Sequence, residues 1–396
     1  MEYVFSDKVA SLKPSAIREI FKYLTDPEVI ALSAGNPAGE SFPVGELSAL
    51  SAELWRDSAV AALQYSVTEG YAPLREKVKN RLKSKFGIGG ENDDVIIVTG
   101  GQQGIDLTAK VLCNEGDTII CEAPSFIGSL NSFRAYNTRL VGIDMDEDGM
   151  NIEQLERALG REKNVKLLYI ISSFQNPTGK CTSFEKRKKI YELCVKHNVI
   201  ILEDNPYGEL RFSGEDIPTI KSLDTEGIVV YDGSFSKILS PGMRLGFVCG
   251  PKEIVQKIVV AKQANDVHTN ILCQRLADMF LEKCDLDAHI EKIRAIYRRK
   301  SRLMMDEMDR LFDGTGVTHT VPEGGLFLWC ALPDNIDGMD FAARAIQNKV
   351  AVVPGSAFMV DESRRSCAFR VTYATPTEEQ IVEGVRRLAE TVASFG

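Results

Sequence analysis

A lysine amine set among hydroxyl groups and an arginine is the most reactive combination of side chains in this sequence. The segment GIVVYDGSFSKILSPGMRLG places four such residues in one loop behind a β-branched run: Ser234, Ser236, Lys237 and Arg244. Hydroxyl groups and a guanidinium suit a phosphate, and a lysine amine can act as a nucleophile or a base. A single lysine is more often a solvated surface residue, so a catalytic interpretation of this loop depends on motifs elsewhere in the chain.

A glycine-rich turn offers a second group of phosphate ligands. The run DVIIVTG leads into residues 100–104, GGQQG, and then into a helical pattern. Free backbone N–H groups at the N-terminus of such a helix suit an anion. The turn is neither a G-x-G-x-x-G fingerprint nor a Walker loop. A plain strand-to-helix turn would have the same composition, so both interpretations stay open at this stage.

Two further loops carry polar side chains directly after apolar runs. The turn in FQNPTG leaves the amide of Asn176 free to bond outward. The run NVIILEDNP ends in Glu203 and Asp204, and Tyr207 follows shortly after. The alternatives are an ordinary Asn-Pro turn and a carboxylate that only caps a turn or helix.

The elements that must position these loops form an alternating pattern between about residues 94 and 250. Short β-branched runs alternate with amphipathic stretches, which predicts an α/β fold with a mostly parallel sheet buried on both faces. The seven predicted strands are DVIIVTG, DTIICEAPS, TRLVGIDMD, VKLLYIISS, NVIILEDNP, GIVVYDGSF and LGFVCG. Ligands of open sheets bind beyond the carboxyl ends of the strands, which is where the loops above lie.

The remaining chain predicts a second, smaller domain. A long helical pattern at 251–283 and another at 287–312 precede an α+β segment that includes TVPEGGLFLWCAL, VAVVPGSAF and AFRVTYAT. A chain of 396 residues is long enough for two packed domains. We expect a large domain over 46–284 and a small domain built from 1–45 and 285–396.

Bulk properties exclude several classes of function. The net charge is −9, and no basic run interleaves with aromatic residues, so we expect no nucleic-acid partner. Without a membrane-length apolar run or a signal peptide, the chain is expected to be cytoplasmic and to have no membrane partner. Nine scattered cysteines without a C-x-x-C pair indicate reduced thiols, and four histidines without ligand spacing predict no metal site.

The motifs NPTG, EDNPY and SFSK followed by an arginine, in this order, resemble the pyridoxal-5′-phosphate (PLP) dependent aminotransferases of fold type I. The spacings from Asn176 to Asp204, to Lys237 and on to Arg244 agree with that family as well. The resemblance runs from PSAIREI through LQYSVTEGYAPLR to FRVTYAT. Within the family, PSAIREI, SFQNPTG, GSFSKILSPGMRLG and NDVHT resemble the branch that contains 2-aminoadipate and kynurenine aminotransferases.

This resemblance implies roles around the PLP ring. Lys237 would hold PLP as a Schiff base and then move a proton between the substrate Cα and the cofactor. Asp204 would keep the pyridine nitrogen protonated. Tyr207 and Asn176 would donate to the ring 3′-oxygen, and Phe126, in APSF, would stack on the pyridine face.

For the phosphate, the resemblance implies Ser234, Ser236 and Arg244, together with the backbone of Gly101 and Gln102 at a helix N-terminus. The branch commonly has Ser-Gln where this chain has Gly101-Gln102. One hydroxyl contact is therefore lost here, and only the backbone N–H remains.

The resemblance also implies a homodimer and a substrate site. Tyr65, in QYSVTEG, would reach the phosphate of the neighbouring subunit. Arg370, in AFRVTYA, would bind the substrate α-carboxylate with help from Asn176 and the backbone of Gly35. Arg18, in AIREI, would meet the substrate side chain. A strand arginine in an ion pair and a solvated helix arginine are the alternatives for Arg370 and Arg18.

The implied function is amino-group transfer between an L-amino acid and a 2-oxo acid. Glutamate and 2-oxoglutarate would form one pair, and the second amino acid would be 2-aminoadipate, an aromatic or a branched-chain one. A PLP-dependent lyase acting at Cβ is an alternative, because it shares the Cα carbanion. An effector-binding domain of a transcription regulator is another, but it needs a DNA-binding segment, and in this acidic chain the aminotransferase pattern already begins at PSAIREI.

Overall fold

The computed structural model describes residues 3–10 and 26–395. Its strands are, in chain order, β1 Ile30–Ala31, β2 Asp93–Val98, β3 Thr118–Ala123, β4 Arg139–Asp146, β5 Gly149–Met150, β6 Val165–Ile170, β7 Ile200–Asp204, β8 Val229–Ser234, β9 Gly246–Pro251, β10 Thr318–His319, β11 Phe327–Ala331, β12 Val350–Ala351, β13 Val353–Pro354 and β14 Ala368–Thr372.

The helices surround these strands. They are α1 Asp7–Ala10, α2 Val44–Asp57, α3 Ala59–Leu63, α4 Ala72–Arg81, α5 Gly101–Leu112, α6 Ile127–Arg134, α7 Ile152–Arg161, α8 Phe184–His197, α9 Lys252–Gln263, α10 Ile271–Lys283, α11 Leu286–Leu311, α12 Gly338–Gln347 and α13 Glu378–Ala393. In the described part of the chain, no helix is long and apolar enough to cross a bilayer.

The large sheet confirms the predicted α/β fold. Its strand order is β2-β9-β8-β7-β6-β3-β4-β5. The seven longer strands are the seven predicted ones; β9 runs antiparallel to both of its neighbours, and the short β5 adds an antiparallel edge. The other pairings in the sheet are parallel. The carboxyl ends of β6, β7 and β8 therefore lie side by side.

Both faces of this sheet are buried, as the near-continuous apolar strands predicted. Leu167, Tyr169 and Leu202 belong to the larger apolar core. Their neighbours Leu168 and Ile201 point to the opposite face and pack in a second core under α7 and α8. Because side chains alternate along a strand, one sheet supports two cores.

The predicted helical pattern at 251–283 is wrong as a single helix. The structure breaks it into α9 and α10 at residues 264–270. Val267 has a φ of 65°, and the side chain of Asn270 caps α10. Asp266 is held by Lys262, at 2.6 Å, and by the hydroxyl of Thr99, at 2.7 Å. These bonds, one of them to a distant part of the chain, favour a loop that local periodicity does not reveal.

A smaller antiparallel sheet, in the order β10-β11-β14-β13, lies in the C-terminal part of the chain. Near the N-terminus, β1 pairs in parallel with β12. This pairing joins the early and late segments that we assign to the small domain. The boundaries at 45 and 285 stay a prediction.

Candidate active site

A cleft of about 460 Å³ opens at the carboxyl ends of the central strands, a size typical of a small-molecule site. The structure brings most of the sequence-predicted residues together here. Those that line the cleft are Gly35, Gly101, Gln102, Phe126, Asn176, Asp204, Tyr207, Ser234, Ser236, Lys237, Arg244 and Arg370. The chain folds this way because parallel strands deliver their following loops to one edge.

Lys237 follows β8 and presents its amine to the cleft. The Nζ atom donates a hydrogen bond to the backbone oxygen of Gly35, at 2.7 Å. Burial, together with the positive charges of Arg370 and Arg244, lowers the pKa of Lys237 to about 8. About a tenth of this amine is thus uncharged at pH 7, and the uncharged amine is the state a nucleophile or a base requires.

Asp204 ends β7 and is almost fully buried. The hydroxyl of Tyr169, on the neighbouring strand β6, donates to its Oδ2 atom at 2.7 Å. Burial raises the pKa of Asp204, and this hydrogen bond partly opposes the rise. A carboxylate in this position is suited to pair with a cationic ring nitrogen, since the pairing would offset the cost of burying its charge.

The phosphate-binding end of the cleft is built around α5. The first turn of α5 leaves the backbone N–H groups of Gly101 and Gln102 outside the helical ladder. Arg244 reaches this turn, and its Nη2 atom donates to the backbone oxygen of Thr99 at 3.3 Å. Gly100 has a φ of 76°, and a Cβ there would lie 2.5 Å from that Nη2 atom, so only glycine fits.

Two hydroxyl residues and an aromatic ring complete this end. The backbone N–H of Ser236 donates to Oγ of Ser234, at 3.1 Å, which folds the loop back on itself. The side chain of Gln102 turns away and donates to the backbone oxygen of Gly128, at 3.0 Å. Gln102 can therefore contribute its backbone here, while Phe126, directly before α6, supplies the ring.

The opposite end of the cleft holds a buried guanidinium. Arg370, on β14, donates to Oδ1 of Asn176 at 2.9 Å and to the backbone oxygen of Ser33 at 2.7 Å. Its centre lies 4.2 Å from the ring centroid of Phe327. Burial lowers the pKa of Arg370 to about 10, and its Nε atom has no partner among the described residues. Such a group is suited to bind a carboxylate from outside.

Tyr207 lies between these two ends. Its ring packs edge-on against Phe327, with 5.9 Å between the centroids. Burial raises the pKa of Tyr207, so its hydroxyl stays protonated and can donate a hydrogen bond.

One predicted residue, Tyr65, does not line this cleft. Tyr65 is 83% exposed, and its ring packs edge-on against His268, with 5.7 Å between the centroids. An exposed position is what a residue serving a neighbouring subunit requires. Arg18 lies outside the described residues.

Sequence reasoning missed three contributors. Tyr169 donates to Asp204, Ser33 accepts from Arg370 through its backbone, and Phe327 supports the guanidinium. Tyr169 could have been anticipated, since a tyrosine near the carboxyl end of a strand next to β7 faces the same edge. The other two depend on packing between distant segments, and no local pattern marks them.

Comparison with known proteins gives consistent results. Residues 27–388 match the family model described as aminotransferase class I and II. An aromatic-amino-acid aminotransferase from Thermococcus litoralis is 39% identical over 395 residues, which are 99% of this chain and 94% of that protein.

Two solved structures share the fold over almost the whole chain. One is a kynurenine aminotransferase from Pyrococcus horikoshii in complex with PMP: the TM-score is 0.95 at 37% identity, covering 99% of this chain and 97% of the other. The second is an alpha-aminoadipate aminotransferase from Thermus thermophilus, complexed with N-(5′-phosphopyridoxyl)-L-leucine. Its TM-score is 0.90 at 36% identity, covering 98% and 97%.

Proposed function

This chain belongs to the class I and II aminotransferases. On that premise we propose that Lys237 is the residue that holds PLP and moves the proton during amino-group transfer. The protein is a PLP-dependent enzyme that moves an amino group between an amino acid and a 2-oxo acid. The observation that carries the proposal is the meeting of three groups in one cleft. These are an amine of lowered pKa, a buried carboxylate, and a buried guanidinium without a carboxylate partner among the described residues.

PLP fits this donor set. Asp204, which lines the cleft, would pair with the ring nitrogen, and the first turn of α5 together with Arg244 would hold the phosphate dianion. Ser234 and Ser236 add hydroxyl groups on the same side. When bound, PLP supplies an electron sink for the negative charge that develops at the substrate Cα.

Proton transfer at Cα is the task of Lys237. Its pKa of about 8 places the amine near the operating pH, which is the best condition for taking up and returning a proton. The backbone oxygen of Gly35 orients the amine before substrate arrives. Arg370 would fix the α-carboxylate and so present the Cα–H bond to Lys237.

For the substrates, we propose glutamate and 2-oxoglutarate as one pair and an aromatic amino acid or 2-aminoadipate as the second donor. The names of the similar enzymes support this choice. Among the described residues that line the cleft, the cations are Lys237, Arg244 and Arg370, and each has a role already. Apolar side chains share the lining, including Phe327 and Ile171, and suit a large apolar substrate.

A substrate panel tests this function. Each amino acid is incubated with 2-oxoglutarate, and glutamate formation is followed. Transamination without an oxo acid should stop after one half-turnover. An enzyme that keeps turning over without an oxo acid would instead be a lyase acting at Cβ.

We further propose a homodimer whose active sites are completed across the interface. The surface around Tyr65 exposes other large apolar side chains: Val60, Leu63, Val67 and Val267. Several exposed apolar side chains so near in sequence to Tyr65, or to its ring partner His268, favour a protein–protein interface here. We also propose a cytoplasmic location, since the nine unpaired cysteines suit a reducing compartment.

Mixing two inactive variants tests the shared site. If Tyr65 serves the partner subunit, a heterodimer of Tyr65→Ala and Lys237→Ala contains one doubly altered site and one intact site. Random reassortment should then restore about a quarter of the wild-type activity. Mixtures that stay inactive although heterodimers form would contradict the shared site.

A further inference from the structure

A second aspartate lies directly beside Asp204 in the sheet. Asp232, on β8, is the Cα partner of Asp204 on the parallel strand β7, so both side chains lie on the same face. Asp232 is 0% exposed, and neither of its carboxyl oxygens has a hydrogen-bond partner in the described part of the chain. The proposed chemistry gives this residue no task, although a buried polar group without a partner is costly.

The first turn of α5 is shaped around this carboxyl. A Cβ at Gly101 would lie 2.5 Å from its Oδ2 atom, and a Cβ at Gly104 would overlap its Oδ1 atom. Asp232 thus occupies room that side chains at these two positions would otherwise fill. The branch that this chain resembles commonly has serine where Gly101 stands, and in this chain the carboxyl of Asp232 occupies the room that such a side chain would need.

The surroundings of Asp232 keep it neutral. From α5 it meets glycines, from β9 its register partner is Val248, and from β7 the ionisable group acting on it is Asp204. Burial and the negative charge of Asp204 both raise the pKa of Asp232. Two adjacent carboxyl groups in an apolar site cannot both be ionised without great cost, so one keeps its proton.

We propose that Asp232 is a positioning residue: a protonated carboxyl that supports the first turn of α5 in place of a side chain at Gly101, and leaves Asp204 as the ionised member of the pair. The inference rests on the proposed pairing of Asp204 with the PLP ring nitrogen. Asp204 would thus pair with the ring nitrogen, while Asp232 supports the turn that binds the phosphate.

Infrared difference spectra of the holoenzyme test the protonation state. A protonated carboxyl has a C=O stretch at higher frequency than a carboxylate. The wild type minus Asp232→Asn spectrum should therefore show a protonated-carboxyl band. Its absence would overturn the proposal. The ring-nitrogen pairing is tested separately with Asp204→Asn. Burial alone should keep Asp232 protonated in that variant, so its band should remain even if the pairing fails.

PLP dissociation constants test the positioning role. Asp232→Ala should weaken PLP binding roughly 10-fold or more, because it leaves a cavity under the turn. Asp232→Asn, which is neutral and of equal size, should stay within about 3-fold of the wild type. Wild-type affinity in the alanine variant, or equal weakening in both variants, would overturn the proposal.

Restoring the side chain at position 101 provides a matched control. Gly101→Ser alone should weaken PLP binding, since its Cβ meets the carboxyl of Asp232. In the double variant with Asp232→Ala, the serine fills the vacated room, and the affinity should exceed that of either single variant. If the loss of PLP affinity in the double variant equals the sum of the losses in the two single variants, the two residues do not act as a unit, and the proposal is overturned.

Discussion

Arg370→Lys tests substrate recognition directly, because it keeps the positive charge and removes only the planar arrangement of N–H donors that a guanidinium provides. A guanidinium has five N–H donors. Asn176 and Ser33 each take one. Three remain, which is enough to bind both oxygens of an α-carboxylate.

A lysine at this position has three donors in all. If it satisfies Asn176 and Ser33, one donor remains, and the carboxylate loses one charge-assisted hydrogen bond. Such a bond contributes about 1.5–3 kcal/mol, so kcat/KM for an amino acid should fall roughly 10- to 150-fold.

The assay compares two amine donors in the first half-reaction, followed by the absorbance of the cofactor. One donor is an α-amino acid and the other is the matching amine without the carboxylate. Arg370→Lys should slow the first and leave the second unchanged. An equal loss with both donors, or less than about a 3-fold loss with the amino acid, would refute the assignment of Arg370.

Three further predictions concern cofactor uptake, cofactor affinity and substrate choice. The rate at which the apoenzyme takes up PLP should rise with pH, with a midpoint near 8, because the lowered pKa of Lys237 means that its amine loses its proton there. A midpoint near the pKa of an ordinary lysine would contradict this. Tyr169→Phe removes the donor to Asp204 and should weaken PLP binding by about 10-fold or more in equilibrium dialysis, whereas an unchanged affinity would mean that the bond is not used. Arg18→Ala should lower kcat/KM for dicarboxylic substrates roughly 10-fold or more and leave kcat/KM for leucine unchanged. An equal loss with both would show that Arg18 does not bind the distal carboxylate.

The seven main strands could be predicted because strands buried on both faces are continuous apolar runs. The short strand β5 offers too few residues for such a signal. The loop at 264–270 was missed for another reason. It is held by Lys262 and by Thr99, which lies in a remote part of the sequence, so the helical periodicity on either side continues past the break.

Within the site, the loop residues were accessible from sequence because each follows a strand of the same sheet. Asp232 was not, since an aspartate inside a strand has no distinguishing pattern. Its meaning depends on the register that pairs it with Asp204 and on the distance to α5, and both are set by the assembled sheet. The sequence shows the glycine at position 101 as a departure, but the side chain that occupies the room beside it lies far along the chain, on β8.

The central claim is that Lys237 carries the cofactor, and the most direct measurement is borohydride reduction of the holoenzyme followed by peptide mass spectrometry. Reduction fixes the bond between PLP and the amine that holds it. The phosphopyridoxyl mass should appear on the peptide that contains Lys237 and should be absent from Lys237→Ala. The same mass on a different lysine of the wild-type enzyme would contradict the account.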